Sequence, residues 1–303
     1  MLKDILPNYI YNSLNKLPYK KIQELRLREN NKVVVNVDGE NFYLTHEGID
    51  KNINYAIDVE KGLLQNIINR ISNNSLYAIN DQLVNGYTTI KGGIRLGVCG
   101  EIVEVNKEIK TIKNISSINF RFPHFIKNCS LKIYNYLVDN GNIKSTLIIS
   151  PPGAGKTTLL RDLIYQISNR EKLLNILIVD ERKEISSVFD GDEIISLKNV
   201  DIYSNSSKKF GFNNGIRSMK PDVIFTDEIS IDNDLDDLLV ALTSGVKIIA
   251  TIHASSIYDL RKKTSFHAIL NNNLFERFVV LSNDYGVGTI DGVFDENLNF
   301  LGV

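Results

Sequence analysis

The segment from Ser145 to Ile164 constrains this chain more than any other. Ser145-Thr146-Leu147-Ile148-Ile149-Ser150 reads as a buried-type strand. It runs directly into Pro151-Pro152-Gly153-Ala154-Gly155-Lys156-Thr157-Thr158, and Leu159-Leu160-Arg161-Asp162-Leu163-Ile164 continues as a helix. Strand, glycine loop and helix in that order are the setting a phosphate-binding loop requires. Glycines let backbone N–H groups turn inward around phosphate oxygens, and the helix N-terminus adds positive partial charge. The loop from Ser150 to Thr158 is therefore the predicted nucleotide contact: Ser150, Pro151, Pro152, Gly153, Ala154, Gly155, Lys156, Thr157 and Thr158. Lys156 is placed to reach the β- and γ-phosphates, and Thr157 to set its hydroxyl on magnesium. Ser150 stands where the consensus G-x-x-x-x-G-K-[ST] has its first glycine, so the strict pattern is unmet.

From residue 145 onward, short buried strands alternate with helices at 145–150, 157–168, 175–180, 222–227, 233–243 and 247–252. Such alternation implies βα units around a mainly parallel sheet. Two of the strands end in Asp-Glu: Ile176-Leu177-Ile178-Val179-Asp180-Glu181 and Val223-Ile224-Phe225-Thr226-Asp227-Glu228. In a parallel sheet both tips lie at the carboxyl edge, beside the phosphate loop. A carboxylate there holds magnesium, and a neighbouring one polarises the attacking water. The second pair takes these roles, Asp227 on magnesium and Glu228 as general base. The strand 247–252 then brings Thr251 and His253 to the same edge, where either can sense a γ-phosphate. Singly, an acid at a strand end is commonly a helix cap and a lone histidine is commonly structural. The argument rests on their convergence after a phosphate loop.

The part before residue 145 has a different texture. Residues 8–17 read as a helix ended by Pro18, and 22–28 and 32–37 as strands. Asp38-Gly39 is a hairpin signal leading into Phe42-Tyr43-Leu44. From Asp58 to Ile71, Leu63, Leu64, Ile67, Ile68 and Ile71 recur at helical spacing, and a second helix is expected from Ser75 to Leu83. Strand-like runs follow at 94–98, 101–105 and 109–112. Residues 127–141 read as a joining helix stopped at Gly141. The expected domains are thus an α+β domain at 1–126, a joining segment at 127–144 and a phosphate-loop domain at 145–303. The tail beyond about 265 carries no usable motif.

Composition excludes several classes. Thirty-five basic and 36 acidic residues leave a net charge of −1, without the basic excess of a phosphate-neutralising protein, so nucleic acid is not indicated. The short clusters Lys208-Lys209 and Arg261-Lys262-Lys263 read as solvated surface. Two cysteines, Cys99 and Cys129, make no disulfide framework and read as thiols of a reducing cytosol. No apolar stretch approaches the ~20 residues that span a bilayer, and the N-terminus lacks a signal-peptide core. The expectation is a cytoplasmic chain without direct membrane insertion.

These residues resemble a known family. Ser75-Leu76-Tyr77-Ala78, the stretch Gly92-Gly93-Ile94-Arg95-Leu96-Gly97-Val98-Cys99-Gly100 and Ile115-Ser116-Ser117-Ile118-Asn119 look like its first-domain landmarks. The second half adds the phosphate loop, Val179-Asp180-Glu181-Arg182, Ile216-Arg217-Ser218-Met219-Lys220-Pro221-Asp222-Val223, Thr226-Asp227-Glu228-Ile229 and Ala250-Thr251-Ile252-His253-Ala254. Together they are similar to the stage III sporulation protein AA family of endospore-forming bacteria, relatives of the type II and type IV secretion ATPases. The resemblance implies a RecA-like ATPase core that uses ATP and Mg2+. It also implies a homo-oligomeric ring, a hexamer, in which the N-terminal domain packs against a neighbour's nucleotide. Asp180-Glu181-Arg182 would match the acidic box, with Glu181 catalytic, and His253 the histidine box. Arg95, Arg121 and Arg217 become candidates for charge stabilisation at the phosphates. The family acts in the mother cell, powering or assembling the secretion-like channel to the forespore, and its expected partners are membrane proteins of that channel.

Three readings compete: a magnesium-dependent ATPase motor, a nucleotide-gated assembly scaffold with little turnover, and a RecA-type nucleic-acid-dependent ATPase. Near-neutral charge and the lack of a basic, aromatic-interleaved stripe weigh against the last.

Overall fold

In a computed structural model, which describes residues 2–72, 86–105, 107–139, 141–186 and 197–303, the chain folds as two units, Met1–His124 and Phe125–Val303. The helix expected at Ser75–Leu83, with the Ser75–Ala78 landmark, lies outside the described residues.

The first unit contains α1 (Leu2–Ile5), α2 (Asn8–Leu14), β1 (Ile22–Arg28), β2 (Val34–Val37), β3 (Glu40–Thr45), β4 (Gly48–Asp50), α3 (Leu63–Ile71), β5 (Tyr87–Ile90), β6 (Ile94–Val105) and β7 (Glu108–Arg121). Its strands form one antiparallel sheet in the order β4-β3-β2-β1-β7-β6-β5. The turn between β2 and β3 is made by Asp38 and Gly39, both with positive φ (51° and 89°), as a tight primed hairpin turn demands. Helix α3 lays Leu64, Ile67 and Ile68 into a core with Leu25, Leu27, Leu96 and Phe120. It starts later than its apolar spacing suggested. Val59 exchanges backbone hydrogen bonds with Asn30 and Asn31, and Gly62 takes the left-handed position just before the first turn. The three short runs expected between 94 and 112 are two long strands, β6 and β7, whose pairing shifts register between Cys99 and Glu101. That bulge, at Gly100, is why β6 reads as two pieces.

The second unit begins with α4 (Leu131–Leu137) and a narrow hairpin of β8 (Val138–Asp139) and β9 (Asn142–Ile143). It continues with β10 (Thr146–Ser150), α5 (Lys156–Ser168), β11 (Ile176–Asp180), β12 (Val200–Ser204), α6 (Lys208–Met219), β13 (Val223–Thr226), α7 (Ile231–Thr243) and β14 (Lys247–His253). Last come α8 (Ile257–Arg261), α9 (Thr264–Asn271), β15 (Arg277–Ser282), β16 (Thr289–Asp295) and β17 (Phe300–Gly302). The sheet order is β12-β11-β13-β14-β10-β15-β16-β17; the first six strands are parallel and the last two antiparallel. Strands β10, β11 and β13 are buried at every residue, because helices cover both faces of such a sheet. The α4 segment packs Ile133 and Leu137 into this unit's core. It is tied to α5 through the buried Asp162 carboxylate, which accepts N–H bonds from Asn128 (2.9 Å) and Ser130 (2.8 Å).

Two features the sequence did not mark stand out. In the tail beyond 265, β15 lies directly against β10 in parallel register, so the C-terminal strands complete the sheet beside the phosphate loop. Helix α6, unread in the sequence, seats its glycines on β11: a Cβ at Gly211 would collide with Val179, and one at Gly215 with Leu177. No described helix is long and apolar enough to cross a membrane.

Candidate functional site

Parallel register decides which side chains meet. Ser150 at the end of β10 stands opposite His253 at the end of β14, and Thr226 at the end of β13 lies opposite Val179 on β11. Everything that follows these strand ends emerges at one edge, where the loop between β10 and α5 also lies. Gly153 and Gly155 hold φ of 77° and 88° in that loop, conformations open to glycine at little cost. Ser150 is not among the described residues with positive φ. It is fully buried and its hydroxyl donates to the Pro151 carbonyl at 3.0 Å. The departure from the consensus is therefore tolerated, since this backbone does not need glycine at Ser150. Thr157 and Thr158 sit half-buried in the first turn of α5, whose leading N–H groups have no helical acceptor.

Lys156, Glu228 and His253 form a closed cluster. The Lys156 ammonium lies 2.7 Å from His253 Nε2 and 3.1 Å from Glu228 Oε1, and His253 Nε2 lies 2.9 Å from the same carboxylate oxygen. Arg182 closes on the other oxygen at 2.6 Å. Burial acts to raise the pKa of Glu228. The hydrogen bonds from Lys156 and His253, with the charges of Lys156 and Arg182, outweigh it and hold the carboxyl below its ordinary value. Its backbone is strained as well: φ is 39° at a non-glycine residue, a feature concentrated at functional sites. Thr251 supports that geometry. Its buried hydroxyl accepts the Glu228 N–H at 2.9 Å, and its carbonyl accepts that of Ile229 at 2.8 Å. Of the two residues expected as sensors, His253 is thus the one in the cluster, and Thr251 is committed to the backbone of Glu228.

Asp227 is different. It is 2% exposed, and its Oδ2 has no hydrogen-bond partner among the described residues. Burial, then the charge of Asp180, push its carboxyl up to about 6 against the opposing pull of Lys208. A buried carboxylate oxygen without a proton donor is what a cation-binding oxygen looks like before the cation arrives. The described residues hold no group of three metal-ligating side chains. Magnesium takes one or two protein oxygens and completes its shell with phosphates and water, so the single Asp227 oxygen is the observation that bears on it.

The first acidic pair plays other parts. Asp180 is fully buried and accepts the N–H groups of Glu184, Ile185 and Ser186 and the Ser186 hydroxyl, so it anchors the loop after β11. Glu181, expected to be catalytic, pairs instead with Lys208 at 2.8 Å. Lys208 corrects the sequence reading: it is 7% exposed, not solvated surface. The signal for it was positional, since it opens a helix just past the carboxyl end of a parallel strand, a place sequence reasoning could reach only by recognising β12. Arg182 was named only within its motif, yet it touches the general-base candidate.

The three candidate arginines are placed within their own units. Arg217 lies nine residues beyond Lys208 on α6, roughly 13 Å along the helix, and is exposed with no hydrogen bond or ion pair among the described residues. Because α6 runs back across the sheet from the Lys208 edge, its own chain does not bring Arg217 to the phosphate loop. Arg95 stacks 5.4 Å from the Tyr87 ring and Arg121 pairs with Glu24 at 3.6 Å, both within the first unit. Cys99 and Cys129 are free thiols.

The fold matches the Legionella pneumophila ATPase DotB with a TM-score of 0.55 at 18% identity, over 86% of this chain and 72% of that one. It matches the pilus retraction motor PilT, solved with bound ADP, with a TM-score of 0.53 at 14% identity, over 86% and 74%. The α/β fold with its mainly parallel sheet, preceded by an antiparallel domain, is therefore that of the secretion-system ATPases. In sequence the chain is 34% identical over 309 aligned positions to stage III sporulation protein AA of Bacillus subtilis (strain 168), covering 99% of this chain and 96% of that protein. The family model described as "Sporulation stage III, protein AA" matches residues 3–301. A match running from the first helix to the last strand makes this chain a member of the stage III sporulation protein AA family.

Proposed function

We propose that this chain is a magnesium-dependent ATPase subunit that works in a homo-oligomeric ring. The observation that carries the reading is the meeting of Lys156, Glu228 and His253 within 3.1 Å at the mouth of the glycine loop, beside the unpartnered oxygen of Asp227. Lys156 and the first turn of α5 bind the phosphates; Thr157 and Asp227 hold magnesium, which supplies charge neutralisation at the γ-phosphate. Glu228 orients and activates water, and His253 reports whether a γ-phosphate is present. The fold shared with DotB and PilT supports the ring and the hexameric count. Family membership supports work in the mother cell, energising or assembling the secretion-like channel to the forespore through membrane proteins of that channel.

Equilibrium binding of ATP with magnesium tests the site. Lys156→Ala is expected to lose binding by at least about tenfold, for loss of a charged phosphate contact, while Glu228→Gln binds as well as wild type or better. Lys156→Ala binding at wild-type affinity would remove the phosphate-loop reading.

One observation favours a second reading, the nucleotide-gated scaffold. The Glu228 carboxylate is held by Lys156, Arg182 and His253, and a carboxylate so neutralised is a poor base until its partners leave. Turnover then depends on what displaces them.

A further inference from the structure

Strand β10 lies between β14 and β15 in the sheet. The groups assigned to the γ-phosphate, Glu228 and His253, come from the β13–β14 side. A nucleotide with its γ-phosphate there must direct its base elsewhere, and on the β15 side of the phosphate loop stands the loop joining β15 to β16. That loop is seated on the glycine loop itself. The Gly288 N–H donates to the Ala154 carbonyl at 3.2 Å, and Val287 Cγ1 lies 3.3 Å from where a Cβ on Gly155 would stand.

The tip is held in shape from within. Gly286 N–H donates to Asn283 O at 3.1 Å, and Gly286 O accepts both the N–H and the hydroxyl of Thr289, at 3.2 and 2.7 Å. On this braced tip Tyr285 is 94% exposed and Val287 75%, the two most exposed large apolar side chains among the described residues. Scattered exposed apolar residues are ordinary. Two on one ordered loop, packed against a phosphate site, form a surface to which a flat apolar ring can be bound.

Resting on the ATPase reading above, we propose that residues 284–288 are the base-binding lip of the nucleotide site, with the Tyr285 ring stacking on the purine and Val287 packing beside it. Stacking on an aromatic side chain strengthens binding substantially and tolerates any base, because every base has a π-face. The lip therefore adds affinity for ATP and GTP alike, over a bare polyphosphate.

The test is calorimetric binding of ATP and of inorganic tripolyphosphate, each with magnesium, to the full chain and to Tyr285→Ala. The proposal expects Tyr285→Ala to weaken ATP by about tenfold and to leave tripolyphosphate unchanged, with Tyr285→Phe restoring ATP binding. The chain contains no tryptophan, so Tyr285→Trp provides a single tryptophan whose selectively excited emission should respond to ATP and not to tripolyphosphate. Tyr285→Ala binding ATP like wild type overturns the lip. So does an equal loss of both ligands, which would make the loop a brace for the phosphate loop. Wild type binding tripolyphosphate as tightly as ATP likewise removes the lip and leaves the phosphate site standing. Failure of wild type to bind either ligand sinks the ATPase reading, and the lip with it.

Discussion

At the scale of residues, two adjacent carboxylates are driven in opposite directions. Glu228 is surrounded by cations and held acidic, while Asp227 is buried without a donor and raised to about 6. The consequence for stability has a definite sign. Asp227 has a folded-state value above its ordinary 3.8, so between roughly pH 4 and pH 6 the folded chain binds the extra proton and acidification favours folding. The cost of the charge is complete above pH 6 and gone below about pH 4. Asp227→Asn should therefore stabilise the metal-free protein at pH 7 by up to roughly 3 kcal/mol, and the gain should vanish toward pH 4. Thermal melts of both proteins across that range check it; a gap independent of pH, or a less stable variant at pH 7, would count against a buried unpaired carboxylate. Magnesium with nucleotide should reverse the order, stabilising wild type and not the variant.

At the scale of elements, legibility followed burial and motif. Strands β10, β11, β13 and β14 could be read because each is a short apolar run ending in a chemically marked tip. Helix α6 could not: Lys208-Lys209-Phe210-Gly211-Phe212-Asn213-Asn214-Gly215 has the poor helix formers of a loop. Its glycines serve tertiary packing, which local sequence does not announce. The same helix hid Lys208, because a lysine pair ordinarily means solvent and this one begins where a strand delivers it to Glu181. The contact of Arg182 with Glu228 and the seat of the β15–β16 loop could not be read for a related reason, since the partners lie far away in sequence. Gly211→Ala turns this into a prediction whose sign is informative. In an exposed helix the change stabilises by roughly 1 kcal/mol; here the new methyl meets Val179, and overpacking should instead destabilise by about 1–3 kcal/mol. Urea unfolding measures it, and a stabilised variant would mean that α6 does not sit on β11 as described.

At the scale of the whole molecule, the proposed function makes the closed Lys156–Glu228–His253–Arg182 cluster the resting state of a ring ATPase. On that proposal, nucleotide supplies the anion that draws Lys156 away, and assembly completes the site. An isolated chain should then be a poor enzyme, and activity should depend on association. The most direct test is phosphate release from ATP with magnesium as protein concentration is raised, with Glu228→Gln alongside. Wild-type specific activity is expected to climb with concentration while the variant stays at background. Wild type matching Glu228→Gln at every concentration, while still binding ATP, would contradict it and leave a nucleotide-gated scaffold in its place.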